Sequence, residues 1–126
     1  MLIRNPDDVS PKTMDMPGAE GVEMRLMVGR GDGAPNFAMR IFDVEPGGQT
    51  PHHQHNYEHE IMVLAGEGQA YSGDTPHPVK QGDVLFVPAN EVHQFRNTGD
   101  DTFRFMCMVP TQFDCGDDTC QPTPGS

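Results

Sequence analysis

Short apolar segments, separated at close intervals by turn-forming residues, constrain this chain more than any other feature. Val22, Met24, Leu26 and Val28 alternate with Glu23, Arg25 and Met27, the period of two expected of a strand with one buried face. A second run, Asn36 to Glu45, is apolar on both faces and is expected to stop at the turn signal Pro46-Gly47-Gly48. Glu60 to Ala65, Gln69 to Ser72, Val84 to Val87, Val92 to Phe95 and Thr102 to Val109 follow, set apart by Gly66-Glu67-Gly68, Gly73-Asp74-Thr75-Pro76, Gln81-Gly82-Asp83 and Asn97-Thr98-Gly99-Asp100-Asp101. No segment keeps helical spacing over three turns. The pattern predicts an all-β sandwich or barrel.

With 126 residues the chain has room for one domain. Residues 1–20 are polar and Pro-rich beyond their start, so they are expected to form an arm laid over the surface or onto a partner subunit. Residues 21–110 form the β domain, and 111–126 have too little apolar content to pack and read as a flexible tail. The net charge of −11 repels phosphate backbones and anionic lipid, which sets nucleic acid and membrane aside as partners. No apolar stretch approaches the ~20 residues needed to span a bilayer, and the N-terminus lacks a signal-length apolar run. A soluble, cytoplasmic protein is expected. Its three cysteines do not form a secreted disulfide framework: Cys107 lies in an apolar run, and Cys115 and Cys120 read as idle thiols of the tail.

Four of the six histidines, His52, His53, His55 and His59, fall within eight residues, beside Glu58 and Glu60. On extended backbone, side chains two apart share a face, so His53 and His55 can present imidazoles to one ion while His52 faces away. His59 can return to that ion if the chain turns near Asn56-Tyr57. His93, behind Pro88-Ala89-Asn90-Glu91, is the natural remaining ligand. His52 and His77 read as surface residues, with His52 also placed to orient the ligands.

These residues carry a family resemblance. Gly47-x5-His53-x-His55 followed by His59-x6-Gly66 resembles the first cupin motif, and Gly82-x5-Pro88-x-Asn90-x2-His93-x3-Asn97 resembles the second, with Asn90 where glycine is usual. The resemblance covers about residues 36–110. Ala34-Pro35-Asn36-Phe37 and Tyr57-Glu58-His59-Glu60 are especially similar to small single-domain cupins with four histidine ligands, whose best-known members carry manganese. The resemblance implies a cupin double-stranded β-helix, a jelly-roll barrel, in a homodimer whose N-terminal segments cross to the partner sheet. Most relatives have glutamate as third ligand, so either His59 or Glu60 takes that place. Spacing back from Gly66 in the family's motif selects His59, which leaves Glu60 pointing outward or behind the ligands.

Four neutral imidazoles add no negative charge, so a divalent metal among them keeps its full charge and attracts anionic ligands. An octahedral ion would retain two open positions; a tetrahedral zinc would be closed and structural. The resemblance favours manganese, while imidazole also suits iron, nickel, copper and zinc. Of the last long segment, Phe103, Phe105, Cys107 and Val109 are expected inward, bringing Phe105 and Cys107 near the metal. Cys107 is then either an oxidation-sensitive thiol or a small buried hydrophobe. Arg40 either receives a substrate carboxylate or snorkels to the rim. Met24, Met27, Met39, Met62, Met106 and Met108 are expected to fill core gaps. Three functions compete: a metal-dependent oxidoreductase (dioxygenase or peroxide-using) on a small organic substrate, a non-oxidative isomerase or epimerase, and a small-ligand sensor without turnover.

Overall fold

A computed structural model describes residues 1–114; Cys115 and Cys120 lie outside them. Among the described residues there are nine strands: β1 (Lys12–Thr13), β2 (Glu20–Val28), β3 (Phe37–Gln49), β4 (His59–Ala65), β5 (Glu67–Ser72), β6 (Thr75–Lys80), β7 (Val84–Val87), β8 (His93–Arg96) and β9 (Phe103–Pro110), with three short 3-10 turns. All pairs are antiparallel, in the order β6-β5-β8-β3-β9-β4-β7, with β2 on β3 and β1 on β2. The sheet curls on itself into an all-β jelly-roll barrel. Among the described residues no helix is long and apolar enough to cross a membrane.

Alternation decides the core. Along β9, Phe103, Phe105, Cys107 and Val109 are buried, while Arg104, Met106 and Met108 lie on the other face and are only half-buried. Val22, Val44, Ile61, Val63 and Phe95 meet the inward set. The methionines divide by the same parity: Met24 and Met27 are buried, but Met62 is exposed, and Met39, Met106 and Met108 share its outer face, in register as Met39↔Met108 and Met62↔Met106. Only part of the set expected to fill the core does so.

Three local departures from the sequence pattern have identifiable causes. Alternation in β2 holds to Met24, and a register shift between Leu26 and Val28 then turns Met27 inward in place of Val28. Strand β3 does not stop at Pro46-Gly47-Gly48 but bends there. Gly47 takes a φ of 83° and a Cβ on Gly48 would meet the Glu20 carbonyl at 2.6 Å, so the glycines make a corner that carries the strand from β9 over to β8 while it stays paired with β2. Strand β6 was hidden by Pro76 and Pro78, which read as turn residues. It is an edge strand, paired only with β5, where proline is tolerated.

The two ends of the described residues pack more closely than their composition implies. Lys12–Thr13 adds a rung to β2, and Met14 reaches the core. Thr111–Phe113 forms a 3-10 turn tied to Asn36 and Pro35, and the buried Asp114 accepts hydrogen bonds from the Arg30 N–H (2.8 Å) and guanidinium (3.2 Å). Polar pairing, together with the Phe113 ring stacked on Tyr57, holds residues 111–114.

Candidate metal centre

Backbone pairing brings the histidines together before any ligand is considered. The loop between β3 and β4 is pinned at its start by Thr50, whose N–H donates to the Phe95 carbonyl and whose hydroxyl accepts from the Phe95 N–H (both 2.9 Å). His53 and His93 then form an isolated antiparallel bridge, exchanging N–H···O bonds of 3.0 and 2.8 Å. Two residues on, the Asn90 N–H donates to the His55 carbonyl at 2.6 Å. That contact requires Asn90 to adopt φ 69°, a left-handed conformation that glycine takes freely and asparagine tolerates. This explains how asparagine stands where the resemblance expects glycine. His59 opens β4, opposite Val87, and faces inward.

The Nε2 atoms of His53 and His55 are 3.2 Å apart. Two nitrogens bound at about 2.1 Å and at right angles would stand roughly 3 Å apart, so this spacing fits neighbouring positions on one ion. One ligand atom from each of His53, His55 and His93 lies within 4.8 Å of the others. His59 stands beside this trio, its ring 5.2 Å from that of His55 and 5.0 Å from that of His93. Its Nδ1 is 3.2 Å from the Cys107 sulfur, and its buried Nε2 has no hydrogen-bond partner. The Nδ1 atoms of His53 and His55 are likewise buried without partners. His93 donates from Nδ1 to the Glu91 carbonyl (2.9 Å), which leaves Nε2 as the bare, ligand-ready nitrogen.

Electrostatics keeps these rings neutral. Burial, then mutual repulsion and the Arg40 charge, lower His53 to about 3, His55 to about 4 and His59 to about 2; burial also lowers His93. At neutral pH the cluster is a set of free-base imidazoles, the form that binds a metal. An unpaired buried nitrogen costs ~1–3 kcal/mol, and of the three on these rings the His59 Nε2 is the one that a ligand joining the Nε2 atoms of the other rings would complete.

Around the histidines lie Arg40, Phe42, Thr50, Tyr57, Ile61, Phe95, Phe105 and Cys107, with Met14 and Met16 at one side. Among the described residues no acidic side chain lines this cavity, in a chain of net charge −11. Arg40 is buried, reaches the Cys107 sulfur at 3.6 Å and stacks over Phe42 at 5.0 Å. Burial raises both the Cys107 thiol and the Tyr57 phenol above their ordinary values, so both keep their protons. Tyr57 is sandwiched between His55 (4.8 Å) and Phe113 (3.8 Å).

Of the residues singled out from sequence, His53, His55, His59, His93, Arg40, Phe105 and Cys107 meet in this cavity. His52 does not: it is exposed and its Nε2 donates to the Gly73 carbonyl at 2.9 Å. Glu60 is exposed on the outer face of β4, and His77 is exposed on β6. Met14 and Met16 were missed within the polar arm. Their i, i+2 spacing was the available signal. Tyr57 and Phe113 needed the fold, because neither sits in a periodic run.

The family model described as Cupin domain matches residues 40–109. Among curated proteins, the 1-methylthio-D-xylulose 5-phosphate methylsulfurylase of Rhodospirillum rubrum is 36% identical over 76 residues, covering 60% of this chain and 49% of that protein. Protein SchB of Streptomyces halstedii is 35% identical over 96 residues, 75% of this chain and 66% of its own length. The chain thus spans about half to two thirds of these relatives. Among solved structures, the polyketide cyclase RemF from Streptomyces resistomycificus superposes with a TM-score of 0.84 at 32% identity, covering 98% of this chain and 82% of that one.

Proposed function

We propose, from the premise that this chain belongs to the cupin family, that it is a metal-dependent enzyme acting on a small, partly apolar, oxygen-rich anion such as an enolised β-polyketone, and that its reaction is a non-oxidative ring closure. One observation carries the reading: a cavity that combines four neutral imidazoles and a guanidinium, has no acidic lining residue among the described residues, and is otherwise walled by aromatic and apolar side chains. The likeness to a polyketide cyclase over nearly the whole chain supports it.

A divalent metal, manganese by resemblance and with iron, nickel, copper or zinc also suited to imidazole, would be held by His53, His55 and His93 with His59 alongside, and would supply Lewis acidity toward a ligand oxygen. The rest falls to this chain's residues. Arg40 holds a second oxygen of the anion through a fixed positive charge. Phe42, Phe95 and Phe105 accept the flat, conjugated part of the ligand and exclude water from it. Tyr57, which keeps its proton, serves as a hydrogen-bond donor at the cavity wall. In such a closure the enolate carbon bonds to a ketone carbon of the same molecule and one water is lost, with no oxidant consumed.

The oxidoreductase reading, dioxygenase or peroxide-using, draws on the same imidazole set with manganese or iron. That reading would bring an oxidant beside the Cys107 thiol, 3.2 Å from His59, whereas ring closure uses none. Incubating metal-loaded protein with a linear β-triketone while following dissolved oxygen and product mass separates the two. Loss of one water without oxygen uptake supports ring closure; oxygen uptake overturns it, and unchanged substrate across a series of such ketones favours a sensor.

A homodimer is proposed on the exposed apolar outer face, where Val84 and Phe86 on edge strand β7 adjoin Met62. Phe86→Glu should convert the dimer to monomer in light scattering; an unaltered mass sinks the assignment. A reducing, cytoplasmic setting suits a pocket containing the free thiol of Cys107.

A further inference from the structure

The histidine cavity is small for the ligand it is proposed to take. Its volume is about 50 Å³, against the roughly 300–1,000 Å³ of ordinary small-molecule pockets. A metal and a water or small anion fit such a space, whereas a ligand with a ring must displace part of the wall.

Most of the wall is held on both sides. Arg40 and Phe42 lie on β3 between β2 and β9; Ile61 lies on β4 between β7 and β9; Phe105 and Cys107 lie on β9 between β3 and β4. His53 is bridged to His93, and the loop of His55 is tied to Asn90. Met14 and Met16 line a further part of the wall, beside Thr50, Pro51 and Tyr57. They follow the two-residue strand β1, which pairs with β2 alone. Beyond it the bonds recorded from this segment to the barrel are the Met14 N–H to the Val22 carbonyl (2.8 Å) and the Gln49 side-chain amide to the Gly18 carbonyl (3.2 Å). Methionine side chains are also the ones best able to reshape around different ligands.

We propose that residues 14–18 are a lid that swings out to admit ligand and closes over it, and that Met14 and Met16 are specificity-determining residues that set the ligand's size and apolar character. The proposal rests on the reading that the histidine cavity binds a small molecule.

The tip of the segment lies close enough to the barrel to be locked. A Cβ built on Gly18 falls 3.7 Å from the Pro51 Cβ, within the ~3.5–4.5 Å span of a disulfide. The experiment uses cobalt-loaded Gly18→Cys/Pro51→Cys protein, with Cys115→Ser and Cys120→Ser to prevent mispairing. Because Gly18 has φ 89°, the same variant in its reduced form is the control for strain. Azide, of three atoms, and tropolone, a chelating seven-membered ring, are the probes, read by the visible absorption of the cobalt. Oxidation should leave azide binding unchanged and slow tropolone association at least tenfold, with recovery on reduction. Equal tropolone rates in the oxidised and reduced forms overturn the lid. In Met14→Ala/Met16→Ala protein, tropolone association should rise severalfold with azide unaffected; an unaltered tropolone rate also overturns it. If neither probe perturbs the cobalt spectrum of the unaltered protein, the small-molecule reading has failed, and the lid falls with it.

Discussion

Two clusters of polar side chains sit on opposite faces of the same sheet. Outside, Asp43 accepts from Arg25 at 2.7 Å and from both Nε and Nη2 of Arg104 at 2.7 and 3.0 Å, with each partner on an adjacent strand. Inside, His53, His55 and His59 each bury a ring nitrogen that meets no hydrogen-bond partner. The outer cluster is complete within the protein, and burial there is balanced by charge pairing. The inner cluster is not: the His59 Nε2 is left bare, as are the Nδ1 atoms of His53 and His55, across their rings from the adjacent Nε2 atoms. Cross-strand register built both, and satisfaction of the polar atoms is what separates a structural cluster from a binding one.

The largest expected effect tests the inner cluster directly. His55→Ala should weaken metal binding by at least a hundredfold in calorimetry, whereas His52→Ala, which removes only an exposed ring, should change it less than threefold. Comparable losses from the two would mean that the loop's inner and outer residues have been exchanged. Metal at a hundredfold excess over its dissociation constant should raise unfolding stability by about 2.7 kcal/mol. That increment should persist in Asp43→Ala and vanish in His55→Ala; its loss from Asp43→Ala would mean the two faces are coupled.

Acid should act on the inner cluster. In the unfolded chain these imidazoles take up protons near pH 6.5, but in the fold they stay neutral to about pH 4 or below. Between those values the unfolded state binds more protons, so the metal-free protein should lose stability as pH falls from about 6.5 towards 4. Above pH 7 the histidines contribute no slope. Urea midpoints of stripped protein at pH 8, 6 and 5 read this out, and a flat profile would contradict the burial of the cluster. Proton competition for bound metal should likewise begin below pH 6.5. Asp43→Ala leaves Arg25 and Arg104 facing each other and should cost about 1–2 kcal/mol at any of these values. The smallest effect is expected of Glu60→Gln, an exposed position, within about 0.5 kcal/mol.

Much of the barrel could be read before any coordinates. The alternation in Thr102 to Val109 assigned the buried side of β9 residue by residue, because the period of two is a local property of extended backbone. The pairing of His53 with His55 followed for the same reason. The methionines show where residue type misleads: Met62, Met106 and Met108 read as core because methionine is apolar, although alternation puts Met106 and Met108 on the face opposite Phe105 and Cys107. Prolines in β6 and glycines at positions 47 and 48 misled in the same direction, towards a break where the strand runs, since an edge strand and a barrel corner relax the rules that turn residues otherwise signal.

What sequence alone determined is the part governed by neighbours along the chain: strand alternation, the turns, the His-x-His pair, and the neutrality of a donor set made of imidazole. What only the tertiary structure decided is the part governed by distance across the sheet. Hydrogen bonds between remote strands carried His93 to His53, placed Cys107 against His59 and brought Met14 and Met16 to the cavity wall. No local preference encodes those contacts, because each depends on where the closing of the barrel brings two distant segments of backbone.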